Sequence, residues 1–268
     1  MSSACPPSAC ESCSAARGEL ERLGLKVSQW DFVVALAGNP NTGKSTLFNR
    51  LTGLRQHTGN WPGKTIARAE GGFGYNGSKY KIVDLPGTYS LRAASPDETV
   101  AREFLLFGRP DLTVVVADAT SLERNLNLAL QILQVTDRVV LALNLMDEAK
   151  AHGILVDARR LAADLGVPVV PCSARSGQGV ADLLVEMEAV VKGTFKTKPY
   201  RLKLKVPAVG PAMNQLVTKL RARFPNLPNA EWIALRLLEG DRTVAERVAD
   251  GTIGDAQRDP AQGRAVAV

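Results

Sequence analysis

Gly38-Asn39-Pro40-Asn41-Thr42-Gly43-Lys44-Ser45 follows an apolar run, Phe32-Val33-Val34-Ala35-Leu36-Ala37, and opens Thr46-Leu47-Phe48-Asn49-Arg50-Leu51, a segment compatible with a helix. Strand, glycine loop and helix in that order are the context that a phosphate loop requires. The glycines let backbone N–H groups turn toward phosphate oxygens, and the helix N-terminus adds partial positive charge behind them. Residues from Gly38 to Thr46 thus read as a triphosphate cradle. Lys44 would reach the β- and γ-phosphates, and the Ser45 hydroxyl would be a ligand to Mg²⁺.

Outward from that loop, Gln56-His57-Thr58-Gly59-Asn60-Trp61-Pro62-Gly63-Lys64-Thr65 is polar and without helical or strand periodicity, so it is expected to be a mobile loop. Ile66 to Tyr75 and Lys79 to Asp84 read as two strands joined by Asn76-Gly77, a dipeptide suited to the positive φ angles of a tight hairpin. Further along come a strand at Leu112–Ala117, a helix at Leu122–Val135, a strand at Arg138–Leu143, a helix near Asp157–Leu165, a strand at Val167–Pro171 and a helix at Val180–Val191. Strands alternating with helices predict an α/β fold: a mostly parallel sheet of six to seven strands covered on both faces, with one antiparallel edge pair. Right-handed crossovers then gather the loops after the strands on one edge, where ligands bind.

Composition shifts at Lys192, Lys196, Lys198, Arg201, Lys203 and Lys205, among prolines and glycine, which suggests a linker. Pro211–Phe224, Ala230–Glu239 and Thr243–Ala249 read as helices of a small all-α appendage. The expected organisation is a flexible N-terminal tail over 1–30, a nucleotide-binding domain over 31–195, a helical domain over 196–252 and a patternless tail over 253–268.

Two more loops carry chemistry. Asp84-Leu85-Pro86-Gly87 ends a strand, where the Asp84 carboxylate can hold Mg²⁺ through water and the Gly87 N–H can meet a γ-phosphate. Thr88 to Ser95 is then expected to switch conformation with nucleotide state. Asn144-Leu145-Met146-Asp147 also ends a strand, and a carboxylate at Asp147 accepts both N1–H and the exocyclic amino group of guanine, a donor pair adenine lacks. Leu145 stands where many such proteins carry lysine, which removes a charge beside the base without removing specificity. Ser173-Ala174, after the last short strand, can present a backbone N–H to the guanine oxygen. Thr65 and Thr58 are both available as a second protein ligand to Mg²⁺.

Composition narrows the remaining classes. The chain is 268 residues long and 45% hydrophobic, enough for a sizeable core. Its apolar runs fall far short of the ~20 residues that cross a bilayer, and the N-terminus lacks a basic and apolar leader, so a cytosolic setting is expected. A net charge of +6 permits a nucleotide, a membrane surface or RNA as partner and selects none. Cys5, Cys10 and Cys13 have spacing usable for a thiolate metal site but lack a fourth local ligand; a reduced, solvated tail is the other reading.

Together, GNPNTGKS, the threonine-bearing loop, DLPG, NLMD and SA resemble a TRAFAC-type P-loop GTPase. GNWPGKT (Gly59–Thr65) paired with DLPGTYSL (Asp84–Leu91) is similar to the N-terminal cytosolic G domain of bacterial ferrous iron transport protein B. The resemblance implies GTP and GDP as ligands, slow hydrolysis, and Thr65 as the second Mg²⁺ ligand. It implies that Asn41 holds an activating K⁺, so that Asn41, Lys44, Thr65 and Gly87 would be the catalytic set, with Ser45, Thr65, Asp84 and Asn41 serving the metals. It also implies a helical domain that modulates nucleotide release, followed by a membrane-spanning iron permease, and hence the cytoplasmic face of the inner membrane, a homo-oligomer being permitted and no nucleic acid expected. Thr88 takes the place of a water-orienting glutamine, so hydrolysis would lean on the cation and backbone groups. A soluble ribosome- or tRNA-associated GTPase is the alternative; it would carry an RNA-binding module after residue 195, and none is recognisable.

Overall fold

The computed structural model describes residues 17–18, 20–54, 56–92, 95–201, 210–225, 227, 229–251 and 253. Cys5, Cys10, Cys13, Lys203, Lys205 and the expected tail from 254 onward lie outside these residues. Two compact units divide between Arg201 and Leu202.

The first unit is built on a seven-stranded sheet: β1 (Phe32–Gly38), β2 (Gln56–Asn60), β3 (Ala67–Tyr75), β4 (Ser78–Asp84), β5 (Leu112–Asp118), β6 (Val139–Asn144) and β7 (Val169–Pro171), in the order β2-β3-β4-β1-β5-β6-β7. From β4 to β7 every neighbouring pair is parallel, and the β3–β4 hairpin is antiparallel. Asn76 and Gly77 turn that hairpin with φ of 45° and 77°, the positive angles that match a tight turn to the twist of its strands. The central strands are buried nearly end to end, as in a parallel sheet covered on both faces.

Helices supply the cover: α1 (Lys44–Thr52), α2 (Pro96–Glu103), α3 (Leu122–Val135), α4 (Met146–Ala151), α5 (Ala158–Leu165) and α6 (Val180–Val191). Leu47, Phe48 and Leu51 of α1 and Leu183, Met187, Val190 and Val191 of α6 pack with Val34, Leu36, Ile82, Val114, Val116, Val140 and Ala142 on one face. Side chains alternate along a strand, so Val33, Ala35 and Val115, also buried, face the other layer, where α3 meets β5 and β1. The Asp157 carboxylate caps α5 by accepting from the Arg160 N–H at 2.9 Å, and Ser95 caps α2 from the Glu98 N–H at 3.2 Å.

The structure departs from the sequence reading in four places. Gln56–Asn60, expected to be mobile, is an edge strand pairing antiparallel with β3. Its side chains past Gln56 are exposed, so no apolar alternation marks it, and only the β3 backbone gives it partners. The segment Pro96–Glu103, to which the sequence reading assigns no element, is helical and runs into a π turn at Phe104–Gly108. Residues 20–30, placed in a flexible tail, lie on the domain: Leu20, Leu25 and Val27 are buried, and Arg68 donates to the carbonyls of Leu23 and Gly24 at 2.7 and 3.1 Å. The basic stretch stays with the first unit as far as Arg201, because Lys198 N–H donates to Gly166 O at 2.9 Å and Tyr200 N–H to Leu165 O at 2.8 Å.

The second unit contains α7 (Gly210–Arg223), α8 (Ala230–Leu238) and α9 (Arg242–Ala249). Leu220, Phe224, Trp232, Ile233, Val244 and Val248 form its buried side, and Ile253, assigned to the tail by the sequence, is buried there too. Among the described residues no helix is long and apolar enough to cross a membrane.

Candidate functional site

Four loops, after β1, β4, β6 and β7, meet at the C-terminal edge of the parallel strands. The loop after β1 enters α1 through Gly43, whose φ of 79° is open to glycine at little cost. A Cβ on Gly43 would stand 2.3 Å from Asn144 Nδ2, so the residue must also be small. No side chain caps α1 and no acidic residue lies in its first turn. Its first N–H groups and its dipole are therefore left for an anion. Asn41 takes φ of 65°, a conformation asparagine tolerates better than most residues, and its side chain is exposed. Pro40, Ser45 and Thr46 are exposed as well, while Gly38, Asn39 and Thr42 are buried; Thr42 Oγ1 donates to Asn39 O at 3.0 Å.

Asp84, at the end of β4, lies beside this loop. Its Oδ1 pairs with Lys44 Nζ, and Ser45 Oγ is 3.5 Å from Oδ2. Burial pushes the Asp84 carboxyl above the usual carboxylate range, against the pull of Lys44. Backbone bonds hold the next residues: Leu85 N–H donates to Leu36 O at 3.0 Å and Thr88 N–H to Gly38 O at 3.3 Å. Gly87 lies against Pro40, where an added Cβ would come within 3.2 Å of its backbone. Thr88 is buried.

Asn144 joins the loop after β1 to the loop after β7. It is 1% exposed; its Nδ2 donates to Thr42 O at 2.8 Å, and its Oδ1 accepts the Ala174 N–H at 2.9 Å. The Ala174 N–H, offered to a base by the sequence reading, is thus engaged by Asn144 here. Leu145 adopts φ of 61° and leads into α4. That places Asp147 in the first turn of α4, its side chain exposed and its N–H donating to Ser173 Oγ at 3.2 Å. Arg50 of α1 donates to the carbonyls of Ala174 and Arg175 at 3.3 and 2.6 Å. Nothing in the local sequence of Arg50 marks that role, since the two segments are joined only by folding.

Among the described residues, neither Thr65 nor Thr58 is hydrogen-bonded to Ser45 or Asp84, whose side chains meet each other and Lys44. Thr58 lies in the exposed β2, and Thr65 is exposed just before β3. Two unlike tendencies surround Cys172, which precedes Ser173: it is a potential nucleophile, yet it is 1% exposed, and burial with the charge of Asp182 pushes its thiol up to about 12. Since the thiolate is the reactive form, Cys172 in a variant lacking Cys5, Cys10 and Cys13 should resist iodoacetamide at pH 8.5 and react at least tenfold faster in denaturant. Its folded pKa exceeds the unfolded value, so the protection adds stability below about pH 9 that is lost as pH rises toward 12. Labelling followed by mass spectrometry checks this.

Known proteins similar to this chain fall in one family. The family model "Ferrous iron transport protein B" matches residues 32–187. The Fe(2+) transporter FeoB of Methanocaldococcus jannaschii is 44% identical over 224 residues, covering 83% of this chain and 33% of that protein. The Fe(2+) transport protein A/FeoB fusion protein of Porphyromonas gingivalis is 40% identical, covering 81% and 26%. A GDP-bound S. thermophilus NFeoB variant superposes with a TM-score of 0.71 at 36% identity, over 81% of this chain and 82% of that one. The chain spans about a quarter to a third of the length of the curated relatives it matches.

Proposed function

This chain belongs to the ferrous iron transport protein B family, and on that premise we propose that its first unit binds GTP and GDP and hydrolyses GTP. The observation that carries the reading is the buried Asn144, which ties the phosphate loop to Ala174 while Asp147 stays exposed beside them. One side chain thereby sets the distance between a triphosphate cradle and a carboxylate suited to guanine. Competition between GTP and ATP for the chain tests it: guanine nucleotide should win by at least two orders of magnitude.

In this reading Gly38, Asn39, Pro40, Asn41, Thr42, Gly43, Lys44, Ser45 and Thr46 surround the phosphates. Asn39 supports a loop shaped around a ligand, since neither atom of its buried amide has a partner among the described residues and buried polar atoms are ordinarily bonded. Ser45 and Asp84 are neighbouring hard oxygen donors, a set that fits Mg²⁺, an ion that keeps most of its waters. Mg²⁺ when bound would neutralise phosphate charge. The Lys44–Asp84 pair supports a simple exchange: Lys44 moves to the phosphates and Asp84 to the metal's water shell, so neither charge is left unpaired. Thr65 would add its hydroxyl in the triphosphate state, and the Gly87 N–H would meet the γ-phosphate. Asp147 and the Ser173-Ala174 loop would hold the base.

Asn41 is proposed to hold a K⁺ ion that stabilises the charge developing on the phosphates. GTP turnover should be at least fivefold faster in KCl than in NaCl, and Asn41→Ala should erase the difference; equal rates in the two salts would remove this role. We further propose that nucleotide state reaches the helical unit and a permease domain of the longer polypeptide at the cytoplasmic face of the inner membrane, where Fe²⁺ is the cargo. Iron uptake by cells carrying Asp147→Asn, compared with wild type, tests that step.

A further inference from the structure

The β2–β3 hairpin closes through the turn Trp61–Ile66, in which Trp61 N–H donates to Ile66 O at 2.9 Å and Lys64 N–H to Trp61 O at 3.0 Å. The register places this turn. Ala69 of β3 pairs with Asp84 at the end of β4, so Thr65 stands four residues beyond that pair, at the edge of the sheet where the nucleotide loops lie but one strand to the side. Two contacts tie the turn to α2 and its π turn. Lys64 Nζ meets Glu103 Oε2 at 3.1 Å, with side chains only 29% and 19% exposed. The Trp61 ring meets Phe104 edge to face, centroids 5.5 Å apart.

The docked turn is incompletely satisfied. Trp61 is 3% exposed, and its indole N–H has no acceptor among the described residues. A desolvated donor without a partner is costly, which is what one position of a two-position element would show.

We propose that Glu103 is a positioning residue: through Lys64 it holds the hairpin turn docked on α2, with Thr65 kept away from the Ser45 and Asp84 oxygens. This rests on the guanine-nucleotide reading above. The triphosphate state recruits Thr65 and must break the tie, whereas the diphosphate state leaves it intact. The tie therefore lowers affinity for triphosphate alone.

The test compares binding of a non-hydrolysable GTP analogue and of GDP, each with Mg²⁺, to wild type, Glu103→Gln, Lys64→Met and the charge-reversed pair Lys64→Glu with Glu103→Lys. A half-buried ion pair is worth a small factor, so each single variant should bind the analogue about threefold to fivefold more tightly with GDP affinity unchanged. The reversed pair should return to the wild-type ratio, and Glu103→Gln placed on Thr65→Ala should lose its selectivity. Equal shifts for both nucleotides, or none, would overturn the proposal. A wild-type chain that binds neither nucleotide would overturn the guanine reading and this inference with it, whereas normal binding with an unselective Glu103→Gln overturns the tie alone.

Discussion

Asp147→Asn should weaken GTP and GDP binding by about 10²–10⁴-fold while creating measurable affinity for xanthine nucleotides. Asp147 is exposed in the first turn of α4, so removing its charge leaves the fold intact and reports on ligand alone. A carboxylate accepts from both N1–H and the amino group at C2, and each hydrogen bond to a charged group contributes about 1.5–3 kcal/mol. The asparagine amide opposes guanine's amino group with a donor of its own. Xanthine carries an oxygen at C2, so the amide donates there and its oxygen still accepts N1–H. Competition of GTP, XTP and ATP against a fluorescent nucleotide measures the exchange, and unchanged preference would discard the proposed role of Asp147.

Asn144→Ala should lower both stability and nucleotide affinity, through a different cause. The change strands two buried groups, Thr42 O and the Ala174 N–H, that now bond to one side chain. Each desolvated group left unpaired costs about 1–3 kcal/mol, so the two together cost about 2–6 kcal/mol, which for a domain of this size is a fall in Tm of about 4–24 °C. Asn144→Asp separates the two bonds. Its carboxylate still accepts from Ala174 but faces Thr42 O with an oxygen, so the variant should be unstable at neutral pH and regain stability as pH falls and the carboxyl gains a proton to donate. The folded state would hold that proton more tightly than the unfolded chain, which gives the stated sign. Thermal melts of both variants from pH 5 to 8 check it, and a wild-type Tm for Asn144→Ala would refute the bridging role.

The sequence by itself determined the phosphate loop, the strand and helix alternation and the positions of DLPG and NLMD. These are local signals: Gly43 must take a left-handed φ, Asn76-Gly77 must turn a hairpin, and α3 and α6 show their apolar faces within one helical span. The cap of α2 is also legible in Ser95-Pro96-Asp97-Glu98, a serine followed three residues later by glutamate.

Only the tertiary structure decided what joins these parts. Asn144 meets Thr42 across 102 residues of chain, Arg50 reaches Arg175 across 125, and Lys64 finds Glu103 across 39. The edge strand β2 exists because β3 offers it a backbone, and residues 20–30 settle where Arg68 supplies donors. Periodicity and turn chemistry act within a few residues, whereas a hydrogen bond across the fold depends on where the sheet sets two distant loops; that placement is a property of packing and is written in no single stretch of the chain.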